Sequence, residues 1–342
     1  VEIVNELLEQ GQFLALSRAK PDAFLSPSCF TIADHTQVTI YAAGIICFEP
    51  QSLTSKDIIL SSGIHGNETA PIEICEEFVK DILLGKLVVG HRVLFIFANL
   101  KAMDLAKRFV DENMNNAFSR VGSNFTASYE YTRVKQIEQV VRHFYAGKRH
   151  EKNQQRLHYD LHTSIRTSKN EKFAIYPYLH GKQWYKSQLQ MLLACGVNTI
   201  LLAAGPTNAF GYFTANEFSA HSLTVELGRV RPFGFNEMSR FEKVVTTLKK
   251  LICNQPLMLK TYSAEDFFIY KVNQVINKQK ADFIFNFSED TQNFTDFPKD
   301  HLIATETGKE YRIAHSGEAI VFPNAQVEIG QRALLTVIPT SI

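Results

Sequence analysis

The sequence predicts an α/β fold: a mixed, largely parallel sheet covered by helices, followed by a smaller β-rich C-terminal domain. Three observations carry this. Up to Asn254, short apolar runs of strand length alternate with stretches of helical periodicity, as expected of a parallel sheet with helices on both faces. Beyond Asn254 the helical stripes stop and alternating strands separated by turn-rich gaps take over. Histidines and glutamates also stand at the ends of predicted strands, where open α/β sheets place their ligands.

Strands are expected at Val38 to Ile46, Asp57 to Ser62, Arg92 to Asn99, His158 to Thr163, Asn198 to Ala203 and Ser222 to Leu227. Between them, Ile72, Cys75, Phe78, Val79, Ile82 and Leu83 form one helical stripe, ended by Gly85. Val134, Ile137, Val140, Val141 and Phe144 form a second, ended by Gly147. Leu189, Leu192 and Leu193 precede Gly196, and Phe241, Val244, Val245, Leu248 and Leu251 mark a later helix. In the last part, 267–272 and 333–338 read as strands, and Gln255-Pro256 marks the boundary. The expected division is therefore 1–255 and 256–342.

Composition narrows the function classes. Of 342 residues, 45% are hydrophobic and 21% charged, enough to bury a sizeable core. Thirty-six basic residues face 35 acidic ones, so no global field favours nucleic acid or a membrane surface, and any anion must be recognised locally. No apolar run approaches the roughly 18 residues of a membrane span, and nothing at the start reads as a secretory leader. Five scattered cysteines with no C-x-x-C pair fit reduced thiols in a cytoplasm. Asn67-Glu68-Thr69 is a glycosylation sequon, but a glycan there would cover the candidate metal site. A homo-oligomer is compatible with all of this.

The most informative stretch is His65-Gly66-Asn67-Glu68, between the strand ending at Ser62 and a helix entry at Thr69-Ala70-Pro71. A histidine and a carboxylate three residues apart reach one cation if the backbone turns sharply, and Gly63 and Gly66 permit that turn. His162, in His158-Tyr159-Asp160-Leu161-His162-Thr163, is the natural third ligand. Two histidines and a carboxylate leave one position of a zinc ion open, as catalytic sites require. A lone histidine in a strand is otherwise a packed or surface residue, and eleven are present. Asp160 projects on the same side as His162, as a partner for it or as a buried hydrogen-bonding carboxylate. Glu226, inside Leu223-Thr224-Val225-Glu226-Leu227-Gly228, is either a base or a strand-end glutamate facing solvent, since burying it unpaired is costly.

Taken together, 62–71, Asp160-Leu161-His162-Thr163 and Thr224-Val225-Glu226-Leu227-Gly228 resemble the zinc carboxypeptidase superfamily, and within it the succinylglutamate desuccinylase and aspartoacylase branch. Supporting details are 162–166, Leu227-Gly228-Arg229 leading to Pro232-Phe233-Gly234, and Phe322-Pro323-Asn324. The resemblance covers nearly the whole chain. It implies a zinc-carboxypeptidase-like sheet, one Zn2+ per chain on His65, Glu68 and His162, and a β-rich domain beside the active-site mouth. It also implies hydrolysis of the amide of N2-succinylglutamate, a small anionic N-acyl amino acid, in arginine catabolism. Glu226 would be the base and Arg108 the group that polarises the scissile carbonyl.

In the family an Asp-x-Asn-Arg stretch grips a substrate carboxylate; here it reads Asn113-Met114-Asn115-Asn116. Asn115 and Asn116 fall on the gripping pair, and Arg120 or Arg166 would have to replace the missing charge. The rival readings are an aspartoacylase-like deacylase of N-acyl amino acids and a zinc-binding protein with impaired catalysis.

Overall fold

A computed structural model describes residues 2–52, 55–120, 128–146 and 154–342. In chain order its elements begin with α1 (Glu2–Gln10), α2 (Phe13–Ala19), β1 (Ser28–Thr31), β2 (Gln37–Ala42), β3 (Ile45–Glu49) and β4 (Lys56–Ser62). Next come α3 (Thr69–Leu83), β5 (Arg92–Phe97), α4 (Leu100–Asp104), α5 (Tyr129–Ala146), β6 (Gln155–Ser164) and β7 (Phe173–Tyr176). Then follow α6 (Lys186–Ala194), β8 (Thr199–Leu202), α7 (Phe210–Phe218), β9 (His221–Arg229) and α8 (Glu242–Ile252). The last part holds β10 (Phe268–Asn277), β11 (Ile284–Phe285), β12 (Thr295–Asp296), β13 (Leu302–Glu306), β14 (Lys309–Arg312), β15 (Ala319–Val321) and β16 (Arg332–Pro339).

The main sheet runs β1-β2-β3-β5-β4-β6-β9-β7-β8-β10-β16-β15-β12. Its centre, β5, β4, β6 and β9, is parallel, so the carboxyl ends of β4, β6 and β9 share one edge. These strands are buried along almost their whole length, which is why they read as continuous apolar runs. On one face lie α2, α3, α6 and α8, with Phe13, Ile72, Phe78, Leu192 and Leu248 in a single apolar cluster. On the other face α5 and α7 cover the sheet with Val134, Ile137, Phe144, Phe210 and Phe213.

The expected strand from Val38 to Ile46 is two strands. Gly44, at φ +73, closes a tight turn between β2 and β3, and β-branched residues on both sides hide that turn in the hydropathy pattern. Helices α1, α2, α4 and α7 lie outside the sequence-based expectation; α4 is short, and in α7 the buried residues run unbroken from Phe210 to Ala215, so neither shows a helical stripe. Gly147, the expected end of α5, lies outside the described residues.

Strand β10 belongs to both halves of the chain. Its first residues, Phe268 to Lys271, pair in parallel with β8, and from Tyr270 onward it pairs antiparallel with β16. One apolar cluster, with Phe283, Ile303, Ile313 and Leu334, lies wholly within the C-terminal part. A second joins Phe173 and Leu201 to Phe294, Val321 and Val337.

Candidate metal centre

The β4–α3 connection brings His65 and Glu68 to the sheet edge. Gly63 takes a left-handed φ of +67, and a Cβ on it would meet the Met103 side chain. Gly66 lies against α4 so closely that a Cβ would stand 2.2 Å from the Ala102 carbonyl carbon. The chain therefore turns tightly enough for Nδ1 of His65 to lie 2.8 Å from Oε1 of Glu68. His162, near the end of the adjacent β6, places its Nδ1 2.8 Å from Oε2 of the same carboxylate. All three residues are buried, and their donor atoms lie within 4.8 Å of one another.

Each imidazole is held from behind. Oδ1 of Asn113 accepts the backbone N–H of Asn115, so it is the amide oxygen, and Nε2 of His65, 3.0 Å away, must carry the proton. His162 donates from Nε2 to Oδ2 of Asp160 at 2.9 Å. Ser61 donates to the other Asp160 oxygen at 2.6 Å and contacts His158 at 2.8 Å, and the far nitrogen of His158 meets Thr214. Both Nδ1 atoms thus face Glu68, while the partners behind the rings fix their orientation, as the partners of metal-ligating histidines do.

The electrostatics agree with that donor set. Burial pulls His65 below the usual histidine range. Burial alone would raise Glu68, yet the two histidines outweigh it and hold the carboxyl well below its ordinary value. Burial opposes charge on His162 too, but Asp160 and Glu68 on either side lift it well above the usual range. The three residues form a group able to hold a metal ion.

Glu226 sits directly beside His162 in the β6–β9 register. Burial pushes its carboxyl up to about 7 and the Glu68 charge adds to the shift, while His162, the Ser164 hydroxyl and Arg108 pull it back. Ser164 donates to Oε2 at 2.9 Å. Arg108 donates from Nη1 to Oε1 of Glu68 at 2.9 Å, and its carbonyl accepts the Gly66 N–H.

The other expected substrate contacts have different partners. The Asn115 side chain accepts the Phe210 N–H at the start of α7, and exposed Asn116 offers its carbonyl to Arg120. Arg120 also pairs with Glu112 at 2.7 Å. Arg166 donates from Nη1 to the carbonyls of Glu289 and Thr291.

Two contributors are invisible in the sequence. Asn113 holds His65, although the motif marks it only as a departure from aspartate. Glu130, fully buried in the first turn of α5, accepts the backbone N–H groups of Val110, Asp111 and Glu112 and the side-chain amide of Asn99. It shapes the loop that carries Arg108 and Asn113. A carboxylate in a first helical turn is common, so nothing in the sequence singles it out.

The mixed, helix-covered sheet thus carries at its carboxyl edge a buried two-histidine, one-glutamate group that could hold a metal ion. Residues 54–252 match the model of the succinylglutamate desuccinylase/aspartoacylase catalytic domain, and residues 265–340 match the AstE/AspA barrel-sandwich hybrid domain. The chain is 55% identical to the succinylglutamate desuccinylase of Pseudoalteromonas atlantica, over 100% of this chain and 98% of that one. With the corresponding protein of Shewanella denitrificans it shares 44% identity, covering 98% and 97%. The crystal structure of the succinylglutamate desuccinylase from Chromobacterium violaceum superposes with a TM-score of 0.85 at 32% identity, covering 97% and 98%. The chain belongs to the succinylglutamate desuccinylase/aspartoacylase family.

Proposed function

We propose that this chain is a zinc-dependent amidohydrolase that cleaves N2-succinyl-L-glutamate to succinate and L-glutamate, the last step of arginine breakdown by the succinyltransferase route. One observation carries the chemistry: a buried His65–Glu68–His162 group lies beside a carboxyl, Glu226, pushed up to about 7. Full-length similarity to proteins named for this reaction supports the substrate. His65, Glu68 and His162 would hold one zinc ion per chain. The chemistry it supplies is Lewis acidity toward water and toward the amide carbonyl.

The chain's own residues divide the remaining work. Glu226 takes a proton from the attacking water at Oε1, because Oε2 already accepts from Ser164. A carboxyl near neutrality can both accept that proton and then deliver it to the leaving α-amino group. Arg108, anchored to Glu68 through Nη1, turns its remaining N–H groups to the oxygen on which negative charge develops. Asn113 and Asp160 fix the two imidazoles. The catalytic domain spans 1–255 and the β-rich domain 256–342, a division that the separate apolar cluster around Phe283 and Ile313 supports. Five unpaired cysteines fit a cytoplasmic setting.

The test is a substrate panel on zinc-loaded protein, reading release of the free amino acid. N-succinylglutamate should be turned over in preference to N-acetylaspartate; the reverse order points to an aspartoacylase-like deacylase. Glu226→Gln should keep its zinc and lose about 10²–10⁴-fold in kcat, the range associated with a positioned acid–base group. Wild-type turnover in that variant removes Glu226 from the role.

A further inference from the structure

Beyond the carboxyl ends of β6 and β9 lies a cavity of about 410 Å³ whose walls include Ser164, Arg166, Gly228, Arg229, Arg231 and Arg240. From it we infer, on the basis of the function proposed above, that the cavity receives the distal carboxylate of the substrate's acyl group, held by Arg229 and Arg231.

Charge comes first. Five cations, Arg166, Lys169, Arg229, Arg231 and Arg240, line the cavity against two carboxylates, Glu171 and Glu237. Arg240 is bound to both of those carboxylates, and Lys169 is bound to Asp296. Arg166 holds the Glu289 and Thr291 carbonyls. Arg229 and Arg231 are exposed and have no acidic partner among the described residues. Two unneutralised guanidinium groups on one concave wall form a carboxylate site, since each planar fork can donate two parallel N–H bonds to a carboxylate.

Position comes second. Ser164 lines the cavity and also donates to Glu226, so the cavity begins one side chain away from the candidate base. Arg229 is the register partner of Ser164, brought there by an irregularity that adds a residue on β9 between Glu226 and Arg229. Gly228, at φ +126, makes that irregularity possible. Arg231 is fixed through its carbonyl, which accepts the Thr69 hydroxyl at 2.6 Å, one residue beyond Glu68. Asn236 on the cavity wall donates to the same hydroxyl. The arginine-bearing loop is therefore tied to the helix that begins at the metal group. A succinyl group carries a second carboxylate two methylenes beyond the scissile carbonyl, which this space would receive; an acetyl group carries none.

The test measures kcat/KM of zinc-loaded wild type, Arg229→Gln, Arg231→Gln and the double variant on N-succinyl-L-glutamate and N-acetyl-L-glutamate. Each single variant should lose about ten- to a hundred-fold on the succinyl substrate, the scale of one charge-assisted hydrogen bond. Activity on the acetyl substrate should stay within about two-fold, well below the loss of one such bond, and this also reports that the variants fold. Should acetyl turnover be too slow to read, competitive inhibition by succinate should weaken in the variants while inhibition by L-glutamate stays constant. Equal losses on both substrates, or none on either, overturn the assignment of the cavity alone. Absence of N-succinylglutamate turnover by the wild type overturns the functional reading and the cavity assignment with it.

Discussion

At the residue scale the site depends on tight backbone contact as much as on its donors. Gly66 touches the backbone of Ala102 and Met103, so a Cβ there has no flexible neighbour to displace. Gly66→Ala should therefore shift His65 relative to Glu68 and cost about 2–4 kcal/mol of stability, in the range of severe overpacking. Chemical denaturation reads the stability, and a chelator competition titration should show weakened zinc binding. His158 makes a second prediction. Burial pulls it down to about 4, so the folded state favours the neutral ring between Ser61 and Thr214. Its stabilisation is complete above the unfolded value near 6.5 and is lost as pH falls from there through about 4, a change of the order of 3 kcal/mol. His158→Gln should flatten that part of the acid-stability curve, measured by urea midpoints from pH 7 to pH 4.

At the element scale, the loop between α4 and α5 is organised by one carboxylate. Glu130→Ala would strand three backbone N–H groups and the Asn99 amide, and should cost about 3 kcal/mol. The same variant should lower kcat/KM by at least about ten-fold if Arg108 is displaced by an ångström, because positioning errors of that size are costly. Steady-state kinetics beside a thermal melt separates the two effects. This loop also marks where the sequence stops being legible. Strands β4, β6 and β9 and the stripes of α3, α5 and α8 announce themselves through burial, which imposes a period on the sequence. His65, Glu68 and His162 are readable because glycines and strand ends fix where their side chains go. Asn113, Glu130 and the engaged state of Arg166 depend on contacts between residues far apart in the chain, and such contacts leave no local pattern.

At the scale of the whole molecule the two parts share structure as well as a boundary. Residues 290–294 are fastened to the loop that follows His162: Asn293 donates its N–H to Thr167, accepts from Lys169, and takes the Phe322 N–H on its side chain. A chain ended at Gln255 would leave the β8 edge unpaired and uncover Phe173 and Leu201. Such a truncation should collect in the insoluble fraction, since a bare apolar strand edge is a template for aggregation. Recovery of a soluble, helical and zinc-binding fragment would show that the first part folds alone.

The shared strand β10 also bears on inheritance. Its first residues complete one hydrophobic core and its later residues begin the other, so a recombination breakpoint within it would damage both. A breakpoint just before it would hand a foreign partner a sheet edge matched only to Phe268 through Lys271. The two halves are thus expected to descend together, and diversification within such a lineage should run through point changes on the loops that rim the cavity, leaving the joint intact.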